Sequence, residues 1–390
     1  MSLTPANVLF LHSAGDWLRG SENVLLTIFR GMDRNVLQPY LLTGNTCLAD
    51  AARLEGVEAE IQPLPDIAFE DGDVRLPLRP WGKSVWKIAR MIREKKIRAI
   101  YCNGGSTCQI GYYAGKLAGV PVIAHLHAPY NRSYLLLYRL NHASRVIFVS
   151  RAILRYARAK QSFHGVCEVV YNGVDTGRFQ PAKTRDETWR QRLMIPADSL
   201  VFGQVSSLIS RKGIDVLLRA FQLLLRDYPE VHLVVVGDGP ERKEFVALSE
   251  QLGLSSRVRW VGNQTDPVPF YQHVLDINLL ASRSEAFGLS LLEASSCGLP
   301  NIGADVDGIP ECILEGQTGL LFRRDDHVML AEKMALLAAS RTVRKDMGTA
   351  GRAMAVRDFS IEQFCRSIER TVLEQISGAA VNVAGVNHAD

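Results

Sequence analysis

The sequence predicts an α/β protein of two domains, each built around a parallel β-sheet. Its 390 residues are too many for one ordinary hydrophobic core and fit two domains of about 150–200 residues. Hydrophobic residues make up 47% of the chain and charged residues 22%, which excludes a disordered or collagen-like protein. Short apolar runs alternate with helical periods, the pattern of βα units that form parallel sheets.

Strand and helix signals alternate through the first half of the chain. They predict strands at residues 8–12, 99–102, 121–125 and 145–149, and helices at residues 22–32, 109–118 and 152–160. Ser150 is placed to cap the last of these helices. The alternation pauses at Asn172-Gly173-Val174-Asp175 and gives way to polar residues as far as Ala197, which indicates a linker between the two domains.

The alternation resumes in the second half. It predicts strands at residues 201–205, 232–236, 258–261 and 277–280, and helices at residues 214–225 and 241–252. The first of these helices has a clear apolar stripe, formed by Ile214, Leu217, Leu218, Phe221, Leu224 and Leu225. Two sheets of this kind bind ligands in the cleft between them, beyond the carboxyl ends of their strands.

Charge, cysteine content and hydropathy narrow the class of protein. The net charge of +4 is too small to indicate nucleic-acid binding. The seven cysteines are scattered and never spaced C-x-x-C, which argues against a disulfide framework or a structural zinc site and favours a reducing compartment. No apolar run approaches the ~20 residues that span a bilayer, and residues 1–7 show no export signal. We therefore expect a cytoplasmic protein.

Positive charge is concentrated in the first half of the chain. Between Trp81 and Lys160 there are 15 Lys and Arg residues and one acidic residue, Glu94. This stretch is either a solvated surface or a field that attracts an anionic partner, such as acidic lipid head groups or a phosphorylated substrate. The run Tyr-Leu-Leu-Leu-Tyr at residues 134–138 could add an apolar contact with a membrane interface.

Two nucleotide-binding motifs are incomplete. Gly237-Asp238-Gly239 follows a predicted strand, but Arg242 occupies the position of the third glycine, so a dinucleotide fingerprint is not predicted. Gly82-Lys83-Ser84 ends like a P-loop, yet Pro77 stands where its first glycine belongs.

Metal-binding patterns are equally weak. No H-E-x-x-H motif occurs in the sequence. The pairs Asp71/Asp73 and Asp305/Asp307 could each hold a hard cation through carboxylates, but turn chemistry is the favoured interpretation of both. We therefore predict no metal and no bound cofactor.

The most informative stretch is residues 282–294, which follow a predicted strand and open a helix closed near residues 298–300. The amides of Phe287, Gly288 and Leu289 are expected to point at the cleft, where a helix N-terminus favours a diphosphate. Gly288 also removes a side chain that would keep phosphate away.

Two glutamates flank the start of this helix. Glu285 precedes it, and Glu293 lies about one and a half turns into it. One carboxylate can therefore face a sugar beyond the phosphates while the other accepts hydrogen bonds from ribose hydroxyls. The alternative is a pair of surface glutamates, since Glu is common in helices.

A second group of charged residues, Arg211-Lys212-Gly213, lies between a predicted strand and the 214–225 helix. Arg211 could fork onto phosphate oxygens, and Lys212 could act as a point charge. The alternative is a pair of solvated cations. That arrangement is disfavoured at a helix N-terminus without an anion to neutralise them.

With these residues in view, the chain resembles the retaining nucleotide-sugar glycosyltransferases of family 4, glycosyl transferases group 1. These enzymes have the GT-B fold, an α/β architecture of two Rossmann-like parallel-sheet domains facing a central cleft. The resemblance is strongest over residues 171–322. Its motifs are Asn172-Gly173-Val174-Asp175, Arg211-Lys212-Gly213-Ile214, Val236-Gly237-Asp238-Gly239-Pro240, the Glu285-x7-Glu293 block with Cys297-Gly298-Leu299-Pro300, Gly308-Ile309-Pro310-Glu311 and Gly316-Gln317-Thr318-Gly319. The first half matches more loosely, through Gly20-Ser21-Glu22 and His127.

The resemblance implies a role for each matching residue. Glu293 should bind the ribose hydroxyls, Glu285 should contact the donor sugar, and Lys212 with the helix amides should hold the diphosphate. The implied catalytic residues are Glu285, Lys212, His127 and Arg211, and the implied donor-binding residues are Gly20, Phe287, Gly288, Leu289 and Glu293. His127 and Gly20 should approach from the N-terminal domain.

The resemblance also implies the division of the chain. We expect an acceptor-side domain at residues 1–175, a donor-binding domain at residues 176–358, and a C-terminal helix at residues 359–376 that packs back toward the first domain. Residues 377–390 are small and polar and are expected to be a disordered tail.

Two positions depart from the family pattern. Many members have an arginine five or six residues before the lysine, where this chain has Ser206 and Ser207, so Arg211 is the candidate to supply that guanidinium. The usual double glycine near the N-terminus is Arg19-Gly20, which places Arg19 where it could crowd or contact the phosphates.

The implied activity is retaining transfer of a sugar from a nucleoside-diphosphate sugar to an acceptor hydroxyl in bacterial glycan, glycolipid or polysaccharide synthesis. The acceptor is expected to be a glycan or lipid-linked sugar, anionic or presented at an anionic membrane, with the protein peripheral at the inner face of the membrane. Nucleic acid is not an expected partner. The alternatives are a nucleotide-sugar epimerase of the same fold and a non-catalytic nucleotide-sugar binder. A phosphorylase is disfavoured because no pyridoxal lysine is identifiable.

Overall fold

The computed structural model describes residues 4–13, 15–16, 18, 20–70 and 73–378. These residues form two α/β units, one made of the chain up to Tyr171 and again from Glu362, the other of Asn172–Ile361. Each unit has its own parallel sheet, so the predicted fold class of two parallel-sheet α/β domains is confirmed. Arg19, Asp71 and residues 379–390 lie outside the described residues. The predicted tail begins at residue 377, but Ser377 still belongs to the last helix.

The first unit is built on a parallel sheet. The strands of this unit are β1 (Ala6–His12), β2 (Leu37–Thr43), β3 (Glu58–Ile61), β4 (Ala68–Glu70), β5 (Asp73–Arg75), β6 (Ala99–Asn103), β7 (Val122–Leu126), β8 (Arg145–Phe148) and β9 (Val166–Val169). The sheet order is β3-β2-β1-β6-β7-β8-β9, and β4 pairs antiparallel with β5 apart from it. The central strands β6, β7 and β8 are buried at every residue, as expected for parallel strands that helices cover on both faces.

Helices connect these strands. They are α1 (Gly20–Gly31), α2 (Thr46–Leu54), α3 (Leu78–Glu94), α4 (Gly105–Ala118), α5 (Arg132–Leu137) and α6 (Arg151–Lys160). The predicted cap at Ser150 is confirmed, since its hydroxyl accepts a hydrogen bond from the Ile153 amide at 3.2 Å.

The second unit repeats the plan. Its strands are β10 (Val201–Val205), β11 (His232–Val236), β12 (Val258–Gly262), β13 (Ile277–Leu280), β14 (Asn301–Ala304) and β15 (Gly319–Phe322), in the order β12-β11-β10-β13-β14-β15. Its helices are α7 (Thr188–Arg192), α8 (Ile214–Leu224), α9 (Arg242–Gln251), α10 (Leu289–Ser296), α11 (His327–Ala339) and α12 (Arg341–Asp358). The apolar stripe predicted for α8 packs into the core, where Leu217, Leu218 and Phe221 are fully buried.

The last helix, α13 (Ile361–Ser377), packs on the first unit. The buried Arg145 guanidinium donates to Glu374 Oε2 at 2.6 Å and lies 3.5 Å from Glu168 Oε2. The Thr371 hydroxyl donates to Glu168 Oε1 at 2.7 Å. These contacts join α13 to β8 and β9. Across the residues that the structure describes, no helix has the length and apolar content to cross a bilayer.

The sequence patterns missed the segment between α1 and β6, which contains β2, α2, β3 and α3. Pro39 interrupts the apolar run of β2. Proline is tolerated there because β3 pairs only with residues 40–43 of β2. The N–H that Pro39 lacks would therefore have had no partner on β3. Pro77 and Pro80 lie at the cap and in the first turn of α3, where proline removes no intrahelical hydrogen bond.

Candidate functional site

The strand order reverses between β1 and β6 in the first sheet and between β10 and β13 in the second. At such a reversal the loops that follow the two strands diverge, and a crevice opens beyond their carboxyl ends. The four strands end at His12, Asn103, Val205 and Leu280. Most of the residues singled out from the sequence follow these ends.

In the second unit, a single turn of 3₁₀-helix at Ser210–Lys212 follows β10 and carries Arg211 and Lys212. Gly213 ends this turn with a φ of +64°. A Cβ on Gly213 would lie 1.9 Å from the Ala281 carbonyl oxygen, just beyond β13. Glycine is therefore required both for the backbone conformation and for the close approach of the turn to the end of β13.

This approach brings three of the predicted catalytic side chains together. The Lys212 ammonium forms an ion pair with Glu285 Oε2. Arg211 Nη1 lies 3.8 Å from the same oxygen and donates to the Ser284 carbonyl at 2.7 Å. The Lys212 and Glu285 side chains are only 14% and 16% exposed, so water screens their attraction less than that of a surface pair.

Arg283 and Asp307 hold this cluster in place, and no sequence motif gave Arg283 a role. The Arg283 guanidinium donates to both carboxylate oxygens of Asp215, at 2.9 and 2.7 Å, and to the Ser210 carbonyl at 2.6 Å. Asp307 Oδ2 accepts from the Ser284 hydroxyl at 2.6 Å and the Glu285 amide at 3.0 Å. The sequence signal that could have identified Arg283 is its position as a basic residue directly before Ser284 and Glu285.

The helix predicted to follow Glu285 is α10. Its N-cap, Gly288, has a φ of +115°, which favours glycine. The first amides of an α-helix lack intrahelical acceptors, so those of Gly288 and Leu289 lie where an anion can bind. The Phe287 side chain is buried against Phe359, with ring centroids 5.9 Å apart, and its carbonyl oxygen accepts a hydrogen bond from the Cys312 thiol at 3.3 Å.

Glu293 lies on α10 in a different environment from Glu285. The Tyr271 hydroxyl donates to Glu293 Oε2 at 3.0 Å. Burial raises the pKa of Glu293 to about 7, although the hydrogen bond from Tyr271 acts in the opposite direction. The sequence did not single out Tyr271, which precedes β13 by several residues.

In the first unit, the predicted His127 lies just beyond β7, and the predicted Gly20 begins α1. His127 Nε2 lies 2.7 Å from Asn103 Oδ1, and His12 Nε2 lies 2.9 Å from Glu22 Oε1. No sequence motif gave a role to His12, Asn103 or Glu22, although each is a polar residue at or beside a strand end or the first helix turn.

Part of the basic stretch lies on α3. The cations of this helix share one exposed face, which we call the α3 basic face: Arg79, Lys83, Lys87, Arg90 and Arg93. Trp86 lies among them and is 62% exposed. In the run at residues 134–138, Leu135 and Tyr138 are buried in the core, whereas Leu136 is 41% exposed. The two buried side chains cannot make the predicted apolar contact, and for the rest of the run it stays a prediction.

The two metal patterns found in the sequence have different outcomes. Asp71 lies outside the described residues, and so do the surroundings of the Asp71/Asp73 pair. The Asp307 carboxylate is used by Ser284 and Glu285, as described above. In the part of the chain that the structure covers, no group of three or more His, Cys, Asp or Glu side chains is arranged to hold a metal ion.

Two family models match the chain. Residues 185–354 match the model described as glycosyl transferases group 1, and residues 18–178 match the model described as glycosyltransferase family 4. Similar solved structures include a glycosyltransferase from Rickettsia africae (TM-score 0.84, 18% identity, 97% of this chain and 100% of that one). Another is Anabaena Alr3699/HepE in complex with UDP and glucose (TM-score 0.81, 23% identity, 94% and 99%). At these identities the likeness concerns the fold, and it confirms the GT-B class.

Curated relatives are similar over part of their length. A GDP-mannose-dependent alpha-(1-6)-phosphatidylinositol monomannoside mannosyltransferase of Mycolicibacterium smegmatis is 30% identical over 55% of this chain and 58% of its own. N-acetyl-alpha-D-glucosaminyl L-malate synthase of Bacillus anthracis is 31% identical over 52% of each chain. The lipopolysaccharide core mannosyltransferase LpsB of Rhizobium meliloti is 32% identical over 51% of this chain and 58% of its own. The chain thus spans 52% to 58% of the length of these relatives.

The pKa of Glu293 predicts a pH dependence of stability. The native pKa of about 7 lies above the ordinary value of 4.5, so the native state holds this proton more tightly than the unfolded chain does. Protonation of Glu293 therefore stabilises the native state relative to the unfolded chain. This contribution is complete below pH 4.5 and is lost as the pH rises to 7. Relative to Glu293→Gln, the wild-type melting temperature should fall by about 2 °C or more between these limits. Thermal unfolding of the wild type and of Glu293→Gln across this pH range measures the difference. Equal slopes of melting temperature against pH in the two proteins would contradict the raised pKa of Glu293.

Proposed function

Since the chain belongs to the group 1 glycosyltransferases, we propose that it transfers a sugar from a nucleoside-diphosphate sugar to an acceptor hydroxyl and retains the anomeric configuration. One observation carries this proposal. Lys212 and Arg211 converge with Glu285 at the strand reversal of the second sheet, next to the N-terminus of α10. Fixed positive charge beside a carboxylate suits a ligand that has a diphosphate at one end and a sugar at the other.

In this proposal, Lys212, Arg211 and the amides of Gly288 and Leu289 bind the diphosphate. Their charges and dipoles are already oriented, so little reorganisation is needed as negative charge grows on the leaving group. Lys212 provides a compact charge and Arg211 a planar fork of donors. No metal ion is assigned a role, because these groups supply positive charge at the same place.

The two glutamates take different parts of the donor. Glu285, held by Lys212 and by the Asp307 contact to its amide, contacts the sugar. Glu293 accepts hydrogen bonds from the ribose hydroxyls when it is ionised, and the Tyr271 hydroxyl orients its carboxylate. Ribose hydroxyls are donors that can compensate the burial of this charge.

No side chain of the cluster is assigned as a nucleophile. The acceptor oxygen bonds to the anomeric carbon on the face from which the diphosphate leaves, and the bond from that carbon to the phosphate oxygen breaks. The acceptor proton passes to the departing phosphate oxygen. Attack on the departure face keeps the anomeric configuration, and the site contributes chiefly positioning and charge stabilisation.

The product's anomeric configuration tests the proposal. Purified protein is incubated with a panel of nucleotide sugars, including GDP-mannose and UDP-glucose, and with candidate glycan and lipid-linked acceptors. We expect a glycoside with the donor's anomeric configuration by NMR. Glu285→Gln should lower kcat by about 10²–10³-fold while changing nucleoside diphosphate affinity less. Glu230→Gln, a change on the exposed surface of the same unit, is the matched control.

Each other outcome contradicts part of the proposal. An inverted product refutes retention. Conversion of the nucleotide sugar without an acceptor indicates an epimerase, and donor binding without turnover in the whole acceptor panel indicates a non-catalytic binder.

The proposed role of Lys212 gives a second test. Lys212→Ala should lower turnover by about 10²–10³-fold, because the leaving diphosphate loses one of the two fixed positive charges proposed to stabilise it. Lys243→Ala, which removes an exposed lysine on α9, is the control for charge alone.

Wild-type turnover should persist in EDTA. Loss of activity in EDTA that magnesium or manganese restores would show that a cation contributes.

We further propose that the α3 basic face binds an anionic bilayer and so brings a membrane-presented acceptor to the protein at the inner face of the membrane. Lys87 pairs with Glu60 and Arg90 with Glu94, so part of the charge is compensated. The exposed Trp86 ring and the 61% exposed Leu78 side chain add apolar area of the kind found at membrane interfaces.

Vesicle sedimentation tests this surface. Each basic residue near an acidic bilayer contributes ~1 kcal/mol, so binding to phosphatidylserine-rich vesicles should be reversible and should weaken at high salt. Lys83→Glu with Trp86→Ser should reduce it several-fold. The matched control is Lys345→Glu with Val343→Ser, a cation and an exposed apolar residue on α12. Equal, negligible binding of the wild type to anionic and neutral vesicles would refute the membrane role.

A further inference from the structure

The side chain of Asn103 lies between two histidines at the strand reversal of the first sheet. Its Nδ2 is 3.1 Å from the Ser21 carbonyl oxygen and 3.1 Å from His12 Nδ1, and its Oδ1 is 2.7 Å from His127 Nε2. A carbonyl oxygen can only accept, so the Ser21 contact identifies which end of the amide is the nitrogen. The amide oxygen then faces His127, and His127 Nε2 must carry the proton that bonds to it.

The groups behind Asn103 require the same orientation. Glu22 Oε1 lies 2.9 Å from His12 Nε2, and both side chains are almost completely buried. A carboxylate needs a donor, so His12 carries its proton on Nε2 and accepts from Asn103 through Nδ1. The backbone carbonyl oxygen of Asn103 also lies near His12 Nδ1, at 3.3 Å. This distance is longer than the 3.1 Å between His12 Nδ1 and Asn103 Nδ2. The three groups His127, Asn103 and His12 therefore each donate in turn toward Glu22.

We infer that Asn103, His12 and Glu22 are positioning residues that hold His127 as the neutral Nε2–H tautomer, so that His127 Nδ1 presents a lone pair to a ligand. A lone pair accepts a hydrogen bond from a hydroxyl or N–H group and repels an unprotonated phosphate oxygen. The ligand class that fits this nitrogen is thus a hydroxyl-bearing compound such as a sugar. The tautomer stands on the geometry alone, whereas its effect on turnover rests on the proposed function.

The surroundings of His127 are consistent with a neutral ring. Burial, with a smaller contribution from His12, lowers the pKa of His127 to about 3 against the opposing effect of Glu22. The His125 ring lies 4.1 Å from it, centroid to centroid, and burial lowers the pKa of His125 as well. A neutral imidazole has a single N–H, and Asn103 receives it.

Nitrogen NMR of the full-length protein tests the tautomer directly. With ¹⁵N in the imidazoles of its nine histidines, long-range ¹H–¹⁵N correlations distinguish the protonated from the unprotonated ring nitrogen. His127→Gln identifies the His127 signals by their loss. We expect Nε2–H with an unprotonated Nδ1, unchanged from pH 8 down to about pH 5, below the ordinary histidine pKa. An Nδ1–H tautomer, or titration near the ordinary value, would overturn the inference.

Substitutions at Asn103 separate positioning from general stability. Asn103→Asp removes the donor to His12 and puts a carboxylate beside His127, so the His127 pKa should rise into the measured range and both nitrogens should protonate at low pH. Gln109→Glu makes the same amide-to-carboxylate change at another buried position of this unit, where the side chain contacts the Ile67 backbone instead. It should leave the His127 signals unchanged. Unaltered His127 signals in folded Asn103→Asp would contradict a positioning role.

Glu22 provides the conservative rescue. In Glu22→Gln the amide oxygen can still accept from His12, so the His127 tautomer and kcat/KM should be largely kept. In Glu22→Leu the tautomers should mix and kcat/KM should fall by about tenfold or more, the scale known for loss of a group that orients a metal-bound histidine. If both Glu22 variants fold and have the same His127 spectrum as the wild type, Glu22 is not a positioning residue.

Discussion

Where β1 meets β6, and again where β10 meets β13, the loops that follow the two neighbouring strands leave in opposite directions. Backbone in such a crevice cannot continue the sheet, so its polar groups are free to meet a ligand. The rest of each candidate site is built around this topological constraint. In the first unit His12 and Asn103 stand at the two strand ends, and in the second the Arg211–Lys212 turn follows one strand while Glu285 follows the other.

Gathering charge at such a point requires close control of the backbone. Gly213 lets the turn that carries Lys212 come against the end of β13, where any side chain would collide with the Ala281 carbonyl. Arg283 then links that turn to Asp215 at the start of α8, and Asp307 orients the Glu285 amide. The attraction between Lys212 and Glu285 is therefore exerted between groups whose positions are already set. Such preorganisation is what a site needs in order to stabilise developing charge without moving.

The first unit meets the same requirement with hydrogen bonds between buried side chains. Glu22 and His12 are nearly inaccessible to water, and an unpartnered buried carboxylate would be costly. The pairing of Glu22 with His12 satisfies both groups and passes a defined orientation to Asn103 and then to His127. In the second unit, the surrounding structure fixes the positions of the charged groups. In the first unit, it fixes the direction in which each hydrogen bond is donated. Neither depends on the ligand.

Periodicity alone determined the parallel-sheet architecture and about half of the strands and helices that the structure describes, because buried strands and amphipathic helices such as α8 leave local patterns in the sequence. Residue types at short spacing also located Lys212, Glu285 and Glu293, since each belongs to a loop or helix that a strand end presents. Only the tertiary structure identified Arg283, Asp307, Tyr271 and the His12–Glu22–Asn103 chain. Their partners are far away in sequence, as Asn103 is from His12, and a pairing of this kind exists only after the sheet has brought the ends of separate strands together.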